Sequence, residues 1–137
     1  VNRSVTKKKG TIRGMHYQIP PHAETKMIRC TKGEVYDVIV DMRRDSPTFL
    51  KWHAEVLSAK NRRMMYAPEG FAHGFQTLKK DCEMLYFHTE LFSKKSERLL
   101  RYNDPMVGIK WKLRPTEMSE KDKNYHLLTP DFKGVEL

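Results

Sequence analysis

A chain of 137 residues with 39% hydrophobic and 31% charged residues is expected to form one domain, 1–137, with a buried core; it is too apolar for a disordered chain and too polar for a membrane protein. No stretch approaches the roughly 18 apolar residues of a membrane span, and the formal charge of +9 points to an anionic partner. Much of that charge sits in doublets and triplets such as Lys7-Lys8-Lys9, Arg43-Arg44 and Lys94-Lys95, which read as solvated loop charge. A nucleic-acid binder would show a basic helix or aromatics interleaved with basic residues; neither is present, so nucleic acid and membrane are set aside as partners.

In chain order, the first predicted strand covers residues 12–18, followed after Pro20-Pro21 by one at 25–30. Lys32-Gly33 is a turn, and EVYDVIV at 34–40 is nearly continuous in β-branched and aromatic residues, as in a sandwich core. After Ser46-Pro47, the apolar Leu50, Trp52, Ala54 and Val56 alternate with Lys51, His53 and Glu55, the pattern of a half-buried strand. Strands are predicted at 64–67, 74–78 and 83–89, with Pro68-Glu69-Gly70 as the turn before the second of these. Ser119-Glu120-Lys121-Asp122 begins like a helix. About seven or eight short strands with one short C-terminal helical segment give an all-β class, a jelly-roll β-sandwich. Cys30 and Cys82, both in apolar stretches, read as buried free thiols of a cytoplasmic protein rather than a disulfide.

Several ionisable residues stand where a plain sandwich needs apolar ones. His16 lies in the first strand, Asp37 in EVYDVIV and Tyr86 in MLYFH, while Lys26 shares strand parity with Ile28 and Cys30. An inward lysine is costly unless it is paired or used. Arg13 and His16 have opposite parity, but Gly14 between them permits a bulge that turns both to one side. Taken singly, His16 is a satisfied structural histidine, Tyr86 a wall residue and Lys26 a rim lysine. Together, a base, an acid and a cation offered into one barrel mouth make a proton-transfer site. A metal reading of His16, His22, Glu24 and His73 fails on spacing: Gln18 stands where the His-X-His pair of metal-binding cupins needs its second histidine, so no metal and no cofactor are expected.

The blocks GTIRGMHYQ (10–18) and KMIRC (26–30) resemble the G-V-L-R-G-L-H-Y-Q and K-L-V-R-C blocks of the dTDP-4-dehydrorhamnose 3,5-epimerases. The similarity continues in family order through YDVIVDMR (36–43), SPT (46–48), PEGFAHGF (68–75), Leu85-Tyr86, NDP (103–105), IKW (109–111) and SEKD (119–122). The resemblance implies a dimeric, cupin-like jelly-roll isomerase. Its substrate would be a nucleoside-diphosphate 4-keto-6-deoxy sugar, epimerised at C3 and/or C5 for deoxysugar and cell-surface polysaccharide (lipopolysaccharide O-antigen) biosynthesis. Carried over residue by residue, His16 is the base, Asp122 its acidic partner (Asp37 the second choice), Tyr86 the proton donor and Lys26 the enolate-stabilising cation. Should Tyr86 be only a wall residue, His88 or water completes the inversion. Arg13, His73, Glu97 and Lys121 bind substrate, and Asn2 matches a Gln-X-Asn-X-Ser segment in loose register. Phe92 stands where the family usually has a base-stacking Tyr; it can stack but lacks the hydroxyl, which keeps GDP and CDP sugars open beside dTDP. Nine residues precede Gly10, fewer than in the family, and Val1 is not an initiator Met, so part of an N-terminal segment is expected to be missing. The alternatives are a single-centre epimerase or ketoisomerase, and a non-catalytic sugar-nucleotide-binding cupin.

Overall fold

The computed structural model describes residues 1–137. Its strands are β1 (Asn2–Thr6), β2 (Ile12–Gln18), β3 (Lys26–Lys32), β4 (Glu34–Asp41), β5 (Trp52–Ser58), β6 (Met64–Ala67), β7 (Phe71–Thr77), β8 (Cys82–His88) and β9 (Glu97–Leu99), with a single helix, α1 (Glu120–Asn124). They form two antiparallel sheets with strand orders β1-β8-β3-β6 and β5-β4-β7-β2-β9. The sandwich interior is filled from both sheets by Ile28, Cys30, Val35, Ile39, Leu57, Met65, Ala67, Phe75, Cys82 and Met84. Both thiols are free and buried, as expected, and burial pushes Cys30 up to about 11.

The near-continuous apolar run of β4 has a specific cause. Val35, Asp37 and Ile39 face the sandwich interior, while Val38 and Val40 face the other side, where Trp111, Leu128 and Phe132 of the C-terminal segment pack against the sheet. β4 is therefore buried on both faces. The sequence reading missed β1 and β9. β1 is short and polar, and pairing with β8, from Asn2↔Tyr86 to Thr6↔Cys82, is what makes it a strand; β9 forms where Glu97 to Leu99 pair with His16 to Gln18. β7 begins at Phe71 rather than at residue 74, because β4 reaches far enough to pair Val40 with Ala72 and Asp41 with Phe71.

Asp41 closes the loop after β4. Its carboxylate accepts hydrogen bonds from the Arg43 amide, Nε and Nη2 at 3.0, 2.9 and 3.0 Å, and from the Ser46 and Thr48 hydroxyls at 2.5 Å each. Burial opposes its charge, but these donors outweigh it and hold the carboxyl well below the usual range. A depressed folded pKa contributes stability that is present above the unfolded value and is lost as pH falls toward the folded one. Asp41→Asn should therefore cost about 1.5–3 kcal/mol at pH 7, the range for hydrogen bonds to a charged group. The half-exposed guanidinium of Arg43 puts its share at the lower end. In urea melts the gap to the parent protein should narrow between pH 5 and pH 3; a gap that stays constant would mean that Asp41 acts through packing alone.

Candidate active site

The site begins with a backbone irregularity in β2. Against β7, Arg13 pairs with Phe75 and His16 with His73, so three steps on β2 match two on β7. This is a bulge of one extra residue, and it brings Arg13 and His16 to one side, where both line the same cavity. Gly14 makes it possible. Its φ is 130°, and a Cβ there would stand 2.6 Å from the Gly74 Cα and 2.9 Å from the His73 carbonyl oxygen.

His16 and Asp122 meet from opposite ends of the chain, with His16 Nε2 2.7 Å from Asp122 Oδ1. The other carboxylate oxygen accepts from the Gly14 amide at 3.1 Å, and the Ser119 hydroxyl caps α1 by accepting from the Asp122 amide at 3.1 Å. Burial works against the Asp122 charge, but His16, the Gly14 amide and Ser119 prevail and keep its carboxyl below the ordinary value. An ionised Asp122 accepts a hydrogen bond from Nε2–H, which leaves Nδ1 of a neutral His16 with the lone pair.

A second pair lies beside the first. His73 Nε2 is 2.8 Å from Asp37 Oδ1, and both residues are buried. Asp37 therefore orients His73 and not His16. Burial pushes Asp37 up, with His73 and Lys26 pulling the other way, and its Oδ2 has no hydrogen-bond partner. Across the interior, β3 and β8 present Lys26, Tyr86 and His88. Lys26 Nζ is 3.3 Å from Glu24, and the Tyr86 hydroxyl accepts from Ser4 at 3.3 Å. The Tyr86 ring stands edge-on to His73 with centroids 6.1 Å apart. Burial raises the phenol well above its usual pKa, so Tyr86 stays protonated at neutral pH.

The opening between the sheets has two lobes. One, of about 380 Å³, is lined by Arg13, His73 and Tyr86; the other, of about 480 Å³, is lined by Leu91, Phe92 and Glu97. Asn2, His16, Lys26 and His88 line both and form the neck between them.

The chain and its fold have known relatives. The family model described as dTDP-4-dehydrorhamnose 3,5-epimerase matches residues 1–130. The chain belongs to the dTDP-4-dehydrorhamnose 3,5-epimerase family. It is 46% identical over 116 residues to the enzyme of that name from Shigella flexneri, covering 85% of this chain and 64% of the relative. The chain thus spans somewhat under two thirds of the length of that curated relative. The crystal structure of dTDP-4-dehydrorhamnose 3,5-epimerase from Bacillus anthracis with TDP and PPi bound superposes with a TM-score of 0.90 at 42% identity, covering 93% of this chain and 73% of that one. ChmJ, a 3'-monoepimerase from Streptomyces bikiniensis in complex with dTDP-quinovose, gives 0.84 at 30% identity, covering 92% and 64%.

Within this epimerase-family fold, nine of the ten residues singled out from sequence lie on the cavity or directly behind it: His16, Lys26, Tyr86, Arg13, His73, Asn2, Phe92 and Glu97 line it, and Asp122 backs His16. Lys121 lines neither lobe; it forms a short ion pair with Glu97 and is largely exposed. The residues weighed as metal donors go to different partners. His22 meets Ser96 at 3.1 Å, His16 and His73 meet their aspartates, and no three His, Cys, Asp or Glu side chains converge. Sequence reasoning missed Ser4, which touches Tyr86, and the part played by Glu24, which pairs with Lys26 and with His88. The strand parity that His88 shares with Tyr86 is a signal for His88; the loop that carries Glu24 offers none.

Proposed function

We propose that the chain is the catalytic body of an isomerase that epimerises C3 and C5 of a dTDP-4-dehydro-6-deoxyglucose-type sugar nucleotide. The observation that carries this reading is the opposition of an Asp122-oriented His16 on one sheet to a protonated Tyr86 on the other, with the Lys26 ammonium at the neck. The C4 ketone acidifies the hydrogens on C3 and C5, because the carbanion delocalises onto the ketone oxygen. His16 Nδ1 removes one such proton, and Asp122 stabilises the imidazolium that forms. Lys26 stabilises the enolate oxygen, with the Asp37-held His73 beside it. The Tyr86 hydroxyl then gives a proton to the opposite face, which inverts the centre. The phenolate regains its proton from solvent as His16 loses one, so the balance closes and the cycle serves the second carbon.

Phe92, 68% exposed at the rim of the lobe of about 480 Å³, supplies a face for the nucleobase. Arg13 and Asn2 supply donors for diphosphate or sugar oxygens. The TDP and PPi held by the Bacillus anthracis relative favour dTDP as the nucleotide. Inversion of C3 alone is the second reading, favoured by the likeness to a 3'-monoepimerase. The working form is a homodimer. On the outward face of the β1-β8-β3-β6 sheet, Tyr66, Met27 and Phe87 stand in register across three strands, each at least 41% exposed, and a second copy would cover them. The two free, buried thiols agree with a cytoplasmic site of action, and no helix is long and apolar enough to cross a membrane. The deciding experiment is incubation with dTDP-4-keto-6-deoxyglucose in deuterated water, followed by NMR. Exchange at both carbons is expected, exchange at one supports the second reading, and none would overturn both.

A further inference from the structure

Two polar side chains that line the cavity, Glu24 and His88, have no part in the mechanism above, yet both are tied to Lys26. Lys26 Nζ lies 3.3 Å from Glu24 Oε1, and Glu24 Oε2 lies 3.3 Å from His88 Nδ1. His88 Nε2 in turn lies 3.4 Å from the side-chain nitrogen of Asn2. One proton arrangement satisfies all three contacts. The ammonium and Nδ1–H both donate to an ionised Glu24, and Nε2 of a neutral His88 accepts from Asn2. Burial disfavours a second proton on His88, against the pull of Glu24, in agreement with the neutral ring. The Glu24 side chain is 8% exposed and that of Lys26 11%, so both charges are nearly out of water and each depends on the other. Lys26 and His88 are direct partners across β3 and β8, whereas Glu24 comes from the loop before β3.

We propose that Glu24 and His88 are positioning residues for Lys26: the carboxylate, held from behind by the imidazole, fixes the ammonium at the neck so that its remaining N–H groups meet the enolate oxygen. This deepens the epimerase reading and rests on it. A lysine reaches its target through four flexible bonds, and a donor that must be ordered during the reaction stabilises the transition state less than one already in place. One of three ammonium protons goes to Glu24, which leaves two for substrate.

The test compares the unaltered protein with Glu24→Gln, Glu24→Asp and His88→Gln, measuring kcat, KM and deuterium exchange at the sugar carbons. Glu24→Gln keeps the shape and removes the charge. It should lower kcat at least about tenfold, short of the 10²–10³ for deleting an oxyanion donor outright. KM should move less than about threefold, since an interaction made only in the transition state is lost. Exchange should fall in step with kcat, because enolate formation is the step affected. Glu24→Asp, which keeps the charge, should recover part of the loss. His88→Gln, which still donates to Glu24, should lose less than Glu24→Gln but more than nothing, and it carries the test should Glu24→Gln fail to fold. A folded variant with unchanged kcat would make the cluster merely structural, and a rise in KM alone would make it a nucleotide contact; either overturns the proposal. An unaltered protein that exchanges neither carbon removes the epimerase reading itself, and this inference with it.

Discussion

His16→Ala is expected to abolish solvent exchange at C3 and C5 of the ketosugar, a loss of at least about 10²-fold, the lower end for removing a general base. Nδ1 is the atom at stake, since Nε2 is committed to Asp122 at 2.7 Å. The base touches the reacting hydrogen and little else of the ground state, so dTDP should bind about as well as before. The fold should survive the change. The His16 side chain is 36% exposed, and Asp122 keeps its bonds with the Gly14 amide and the Ser119 cap, which hold α1 in place. The cost should therefore stay near 1–2 kcal/mol, that of one lost hydrogen bond and its desolvated partner. The measurement is deuterium incorporation by NMR together with dTDP titration of the same protein. Near-parental exchange in a folded His16→Ala protein would remove the mechanism, because Asp122 orients no other side-chain nitrogen of the cavity.

The second large effect concerns the separation of deprotonation from inversion. His16 stands on the five-stranded sheet and Tyr86 on the four-stranded one, with the cavity between them. Enolate formation needs only the first, whereas an inverted product needs both. Tyr86→Phe keeps the edge-on ring contact with His73 and deletes one hydroxyl whose only protein partner is Ser4 at 3.3 Å. Stability should change by no more than about 1–2 kcal/mol. Exchange should persist as His16 returns deuterium to the face it took hydrogen from, while inverted product falls by about 10²-fold or more, the scale of a missing general acid. The ratio of incorporated deuterium to inverted product, compared between the two proteins, reads this directly. A proportional fall in both quantities would make Tyr86 a wall of the pocket and pass the donor's role to His88 or to water.

How far the fold was legible follows from which interactions are local. The turns at Lys32-Gly33 and Pro68 to Gly70 and the Ser119 start of α1 depend on neighbours in sequence, and all are present; the strand expected from Leu50 forms only from Trp52, since Leu50 takes a φ of 62° in the loop before it. The Gly14 bulge was readable because only glycine permits that backbone. β1 carried no strong pattern, and only its ladder with β8 makes it a strand. Its two contributions to the site, Asn2 and Ser4, were correspondingly faint.

The amino-acid sequence by itself determined the all-β class, the inward parity of Lys26 with Ile28 and Cys30, the inward set that contains Asp37, and the family whose blocks the chain carries in order. Tertiary structure alone decided how those groups pair. Asp122 is 106 residues from His16, Asp37 is 36 from His73, and Glu24 is 64 from His88. Strand periodicity states which face a side chain takes, but a carboxylate accepts a hydrogen bond from whichever donor the folded chain brings within about 3 Å. That choice is made by sheet order, which burial of apolar surface in the two core clusters fixes, and by the docking of α1, whose one buried residue is Asp122 itself.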